Sequence, residues 1–240
     1  MRPIKKVLQN IFNFFGFRVS LIDRRQVPDV NRLKWLKDLN IQTVIDIGAN
    51  KGNSVREFRD LFPSAMLYAF EPLPDCFSIM QAKVKGYNNI HLFNIALSDQ
   101  KGSMDIHRSS YSGSSSLLKM ADLHKKLFPV TAGERLISVV TDTLDTILRL
   151  ETLTTPVLMK IDVQGFEDKV LAGGTAILQQ VKIIIIDTSF KELYISQPLF
   201  GDIYALLTKQ GFVYRGAWDP DFKSPEDGAS VQQDAVFIRP

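Results

Sequence analysis

Four consecutive isoleucines, Ile183–Ile186, constrain this chain more than any other feature. Successive side chains of a strand point to opposite faces, so an unbroken β-branched run has no solvent side. Such a strand belongs inside a parallel sheet covered on both faces. Short apolar runs of the same kind occur at Thr43–Ile47, Met66–Phe70, Ile90–Ile95, Val157–Ile161, Lys182–Asp187 and Phe212–Arg215. Helices are expected between them at Lys51–Leu61, Asp75–Lys85, Thr143–Leu150, Glu167–Leu171 and Leu199–Gln210. Strand alternating with helix predicts an α/β, doubly wound, Rossmann-like sheet. After Phe212–Arg215 a loop, Ala217–Gln232, leads to Asp234–Ile238 without a helix between. Strands joined without a crossover pair antiparallel, so a mostly parallel sheet with an antiparallel C-terminal strand is expected. Ser98–Leu136, serine-rich at Ser109–Ser116, shows no strong period and reads as a functional loop or lid.

Charge divides the chain. Lys and Arg number 29 against 26 Asp and Glu, a formal net of +3. Residues 1–40 carry Arg2, Lys5, Lys6, Arg18, Arg24, Arg25, Arg32, Lys34 and Lys37 against Asp23, Asp29 and Asp38. The basic excess is therefore an arm's, and the body from residue 41 to 240 is slightly acidic. A nucleic-acid partner is not expected, because that footprint should spread over the fold. Ile4, Val7, Leu8, Ile11, Phe12 and Phe15 fall at helical spacing, and a second helix is read over Val30–Leu39. The arm reads either as a peripheral membrane contact through residues 1–20 or as a surface packing on the body or on a second copy in a homodimer. No run of about 18 apolar residues suggests a membrane span, and no small-residue cleavage site follows the N-terminal apolar run. Cys76 is the lone cysteine, which suits a reducing compartment. A cytoplasmic location is the expectation, peripheral to the membrane only on the first of those two readings of the arm.

The first strand runs into Asp46-Ile47-Gly48-Ala49-Asn50-Lys51-Gly52. Ligands of open α/β sheets sit beyond the carboxyl ends of the strands. Gly48, Asn50 and Gly52 would let backbone approach a ligand there, and the next helix would offer free N–H groups to a carboxylate or phosphate. Asp46, a charge near the end of an apolar strand, calls for a partner such as a ligand ammonium. The second strand ends in Ala69-Phe70-Glu71-Pro72, where an acid accepts ribose hydroxyls. The two motifs together indicate a nucleoside site. A nicotinamide or flavin dinucleotide calls for G-x-G-x-x-G, which is not met, and Asp46 opposes a pyrophosphate. S-adenosyl-L-methionine suits all three features.

Read in order, Val44–Gly52, Ala69–Pro72, Ala96-Leu97-Ser98-Asp99, Ser114–Leu117, Leu144-Asp145, Met159–Glu167 and Val170–Gly173 resemble the FkbM-type S-adenosylmethionine-dependent methyltransferases. The resemblance runs from about Thr43 to Asp187. It implies a class I methyltransferase fold over residues 41–240, following an arm of residues 1–40. It also implies O-methylation, often of sugars in polysaccharides, glycolipids or natural products. Cofactor contacts are implied at Asp46, Gly48, Asn50, Gly52, Glu71, Pro72, Ala96, Leu97, Ser98 and Asp162. Two positions depart from the family pattern: Gln164 stands where Glu is usual, and Asp187 where Glu is usual. Gln164 has no carboxylate to act as a base, which keeps open a non-catalytic cofactor-binding protein. A nicotinamide-dependent oxidoreductase is the other alternative.

Methyl transfer needs positioning and help with a hydroxyl proton. Asp162, at the carboxyl end of the fourth parallel strand, is the candidate base, orienter or metal ligand, and Glu167 is the second catalytic candidate. Each also has a structural reading: Asp162 as a cap on its turn, Glu167 as an acid favourably placed at a helix start. Lys160 shares a face with Asp162 and reads as its ion-pair partner. Asp162 and Asp187 end adjacent strands, where a cation could sit; no metal is predicted, and His91, His107 and His124 lack ligand spacing. Trp218, with Asp219 and Asp221, is a candidate sugar platform or simply a pinned loop.

Overall fold

The computed structural model describes residues 35–149 and 153–240. The chain divides between Leu39 and Asn40. Before that point Trp35–Asp38 is helical, and the Leu39 amide donates to Leu36 O at 3.2 Å. The expected helix over residues 4–15 lies outside the described residues.

From Asn40 onward the chain builds a twisted sheet. Its strands are β1 (Thr43–Ile47), β2 (Met66–Phe70), β3 (Ile90–Phe93), β7 (Val157–Ile161), β8 (Val181–Ser189), β9 (Val213–Ala217), β10 (Phe222–Lys223) and β11 (Ser230–Ile238). The order is β10-β11-β8-β7-β1-β2-β3, with β9 also on β11. β3, β2, β1, β7 and β8 are parallel neighbours. β11 runs antiparallel between β8 and β9, pairing Asp187 with Asp234 and Tyr214 with Phe237. The isoleucine run lies inside β8, with each of its four side chains at most 2% exposed. One sheet face, carrying Ile45, Ile47, Met159, Ile161, Ile184, Ile186 and Phe237, meets Leu144, Val170, Ile177 and Ile203. Those residues come from α4 (Leu144–Ile147), α5 (Glu167–Ala172), α6 (Thr175–Leu178) and α7 (Phe200–Lys209). α1 (Asn53–Leu61), buried through Val55 and Phe58, packs on β1 and β2. α2 (Pro74–Lys83) follows β2.

The stretch expected to be irregular is the main correction. A second sheet stands there: β4 (Ala96–Leu97), β5 (Gly102–Ser109) and β6 (Glu134–Asp142), in the order β4-β6-β5. Between β5 and β6 come a 3₁₀ turn at Ser112–Ser114 and the short helix α3 (Asp122–Leu127). β5 has one side to solvent and buries only Ile106 and Ser109, so it lacks the continuous apolarity of the central strands. The strand expected over Ile90–Ile95 ends at Phe93, and Ala96–Leu97 crosses to the second sheet. The helix expected at Thr143–Leu150 is a single turn whose N-cap is Thr143, with Thr143 Oγ1 accepting from the Thr146 amide at 3.1 Å.

Candidate active site

The turn after β1 is built on left-handed backbone at Gly48 (φ +83°), Asn50 (φ +47°) and Gly52 (φ +74°). A Cβ on Gly48 would stand 1.9 Å from the carbonyl oxygen of Asp162, so glycine there lets two strand ends meet. The Asp162 amide donates to Ile47 O at 2.9 Å across that contact. Gly52 caps α1 and does not line the cavity beside Glu71, and a Cβ added to it would stand 2.8 Å from Met80 Cγ of α2.

Glu71 is 5% exposed at the end of β2. One carboxylate oxygen accepts from the Asn50 amide and the other from the Leu73 amide, both at 2.8 Å. Asn94 Nδ2 donates to the carbonyls of Glu71 and Pro72, fixing the loop behind it. Burial pushes the Glu71 carboxyl up to about 7, against the pull of those two amides. Beside it a cavity opens, lined by Gly48, Asn50, Glu71, Pro72, Ala96, Leu97 and Asp162. Its apolar wall includes Ile47, Phe70, Ile106, Leu117 and Phe166, so the second sheet supplies the roof. An apolar lining with a few convergent polar groups suits a nucleoside. Asn50 Oδ1 is buried at this cavity without a hydrogen-bond partner. An orphaned acceptor there fits a donor on a bound ligand.

Asp46 and Ser98 do not line the cavity. Asp46 is 1% exposed; one oxygen accepts from Ser54 Oγ at 2.5 Å and the other is buried without a partner. Ser98 is buried, and a Cβ on Gly173 would lie 2.0 Å from its carbonyl oxygen, so that pair marks a close backbone approach. Ser112, Gly113, Ser115 and Ser116, from the stretch read as a lid, line the cavity instead. Ser116 Oγ donates to Gln164 O at 2.7 Å and Ser115 Oγ accepts from the Ser109 amide at 3.1 Å, which pins the loop.

The carboxyl ends of β7 and β8 gather the charges. Lys160 Nζ lies 2.9 Å from Asp162 Oδ2, the ion pair expected from their shared face. Burial pushes Asp162 up, but Lys160 and the hydrogen bonds from Lys160 and Gln164 outweigh it and hold the carboxyl below its usual range. Gln164 Nε2 donates to Asp162 Oδ1 at 2.8 Å and to Asp187 Oδ2 at 3.0 Å, while Gln232 Nε2 donates to the same Asp187 oxygen at 2.6 Å. Burial, then Asp162 and Glu167, drive Asp187 well above its usual range. Glu167 faces its own turn: Oε1 accepts from the Val163 and Gly165 amides, both at 3.1 Å. Burial pushes its carboxyl up to about 7. Trp218 is 9% exposed, with its amide donating to Asp234 O at 2.6 Å, while Asp221 is engaged by Ser230 Oγ. Among the described residues no group of three or more His, Cys, Asp or Glu side chains is arranged to hold a metal.

Tyr194 and Gln232, missed in the sequence, complete this cluster. Tyr194 OH reaches Gln164 Oε1 at 2.9 Å from a loop beyond β8, and Gln232 comes from β11. Neither sits in a local motif; pairing across the sheet brings them in.

The parallel order β3-β2-β1-β7-β8, with antiparallel β11 inserted between β8 and β9 and an acid at the end of β2 beside the cavity, defines a class I methyltransferase fold. A family model described as the methyltransferase FkbM domain matches residues 46–214, and the chain belongs to that family. The 2-O-methyltransferase NoeI of Sinorhizobium fredii (strain NBRC 101917 / NGR234) is 32% identical over 160 residues, which cover 64% of this chain and 66% of that protein. The chain thus spans just under two thirds of that relative's length. Among solved structures, the methyltransferase FkbM from Methylobacillus flagellatus KT gives a TM-score of 0.48 at 10% identity, over 83% of this chain and 44% of that one. An rRNA methylase from Streptococcus thermophilus gives 0.44 at 12% identity, over 92% and 99% of the two chains.

Proposed function

We propose that this protein transfers a methyl group from S-adenosylmethionine to a hydroxyl, with a carbohydrate as acceptor class. The observation that carries the reading is the Glu71 carboxylate, fixed by the Asn50 and Leu73 amides at the rim of a cavity where Asn50 Oδ1 lacks a partner. Glu71 would hold the ribose hydroxyls, Asn50 Oδ1 a donor such as the ligand ammonium, and Ala96, Leu97 and Pro72 the base. Membership of the FkbM family supports methyl transfer, and the likeness to a 2-O-methyltransferase supports a hydroxyl acceptor.

S-adenosylmethionine supplies an already activated methyl group, so the chain's work is positioning and proton handling. Asp162 is the catalytic residue in this reading. A carboxylate held below its usual range is a weak base. It therefore orients the acceptor hydroxyl by a hydrogen bond and takes its proton late, as the new carbon–oxygen bond forms. Glu167 acts through the turn: its carboxylate holds the Val163 and Gly165 amides and so sets where Asp162 points.

The test joins binding to transfer. Calorimetry should show S-adenosylhomocysteine binding and no comparable binding of NAD. Labelled methyl from S-adenosylmethionine should pass to glycosides with a free 2-hydroxyl and not to their 2-deoxy counterparts. Selective binding of NAD would revive the oxidoreductase; binding of S-adenosylhomocysteine with no transfer over a broad panel would favour a binding protein.

A further inference from the structure

Gln164 stands where its charged neighbours make a neutral side chain informative. Its backbone is left-handed (φ +59°), it precedes Gly165 (φ +98°), and its carbonyl accepts from Ser116 Oγ at 2.7 Å. The backbone is thus held in place, and the residue lines the cavity. A primary amide has two N–H hydrogens and one acceptor oxygen. Here both hydrogens are used, one toward Asp162 Oδ1 (2.8 Å) and one toward Asp187 Oδ2 (3.0 Å). The oxygen faces Tyr194 OH at 2.9 Å, and the two carboxylates fix the amide's direction: reversed, it would turn an oxygen onto both. Asp187 takes a further amide hydrogen from Gln232 at 2.6 Å, and Asp234 is its register partner on β11. Lys160, the ammonium in the group, is turned to the other Asp162 oxygen. Two acids brought this close share a proton, a cation or a hydrogen-bond donor between them. In this chain an amide does the bridging.

We propose that Gln164 is a positioning residue whose amide stands between Asp162 and Asp187 in the place a divalent cation would otherwise fill, presenting Asp162 to the acceptor hydroxyl without a metal. Its last clause rests on the methyl-transfer reading; the electrostatic part does not. Gln164→Glu keeps the shape and removes both donors, setting three carboxylates against one another. That variant should become a cation binder, and the wild type should not be one.

Melting of the full chain with saturating S-adenosylhomocysteine, in EDTA and in millimolar MgCl₂, CaCl₂ or MnCl₂, reads the electrostatic part. Wild-type Tm should be the same in all, while Q164E should melt lower in EDTA and rise saturably with at least one of the three cations. Wild-type transfer should be indifferent to EDTA, and Q164E without cation should lose about tenfold or more in kcat with the KM for S-adenosylmethionine within about twofold. The proposal is overturned if a cation raises the wild-type Tm saturably, if no cation moves Q164E, or if Q164E turns over at the wild-type rate in EDTA. If wild type transfers no methyl group, the function reading has failed, and the melting curves still decide the electrostatic part. If Q164E does not fold, Gln164→Met decides: keeping the length but losing both donors to Asp162 and Asp187 should lower kcat several-fold with the KM for S-adenosylmethionine unchanged, and an unaltered kcat overturns the role.

Discussion

Glu71 shows how one residue couples a proton to a ligand. Its carboxyl is buried and pushed up to about 7, and both of its oxygens are braced by amides rather than by a cation. Ribose hydroxyls donating to it would favour the ionised form. Affinity for S-adenosylhomocysteine should therefore rise as pH goes from about 6 to about 8, with proton uptake by buffer on binding. Glu71→Gln should weaken binding by roughly tenfold to a hundredfold, the worth of hydrogen bonds to a charged group, and flatten that pH dependence. Calorimetry in two buffers of different ionisation enthalpy measures both. Asn50 makes the complementary point: the sequence marks it as one residue of a turn, whereas its unpartnered Oδ1 is a property of the folded turn alone.

At the scale of elements, β11 holds the sheet's far edge together. It lies between β8 and β9, and Phe237, fully buried, packs in the main core. Phe237→Ala should cost about 3–5 kcal/mol, read as a lower denaturation midpoint at unchanged slope. Elements buried on both faces announce themselves: β1, β2 and β7 start and stop where their apolar runs do. β5 and β6 do not, because half of each faces water and their partners lie across a long excursion in the chain. The site divides the same way. Gly48, Glu71 and Asp162 lie at ends of legible strands, so their grouping follows from topology. The cavity's serine wall depends on β5 and β6, and the Gln164–Tyr194–Gln232 contacts depend on side chains meeting from separate segments. No local pattern encodes either.

For the whole molecule, buried acids set the response to pH. Burial raises Glu71 and Glu167 to about 7 and, with help from Asp162, Asp234 to about 6. Each folded-state value lies above that of the unfolded chain. Their contribution to stability is thus complete below the ordinary carboxylate range and is lost as pH rises through 6 to 7. Without ligand, Tm should fall between about pH 5 and about pH 8, and Glu71→Gln should shrink the fall. A flat profile would show that these groups titrate as they do in water. Among the described residues no helix is long and apolar enough to cross a membrane.

Cys76 sits fully buried where α2 meets the second sheet, against Leu73, Ala96, Ile106 and Val139. It is the chain's single thiol, and burial pushes its pKa up, so a disulfide reagent finds it only when that roof lifts. The native protein thereby carries its own clock for opening of the cavity. Thiol release should be slow, should speed up in mild denaturant, and should slow further if S-adenosylhomocysteine binds in the cavity.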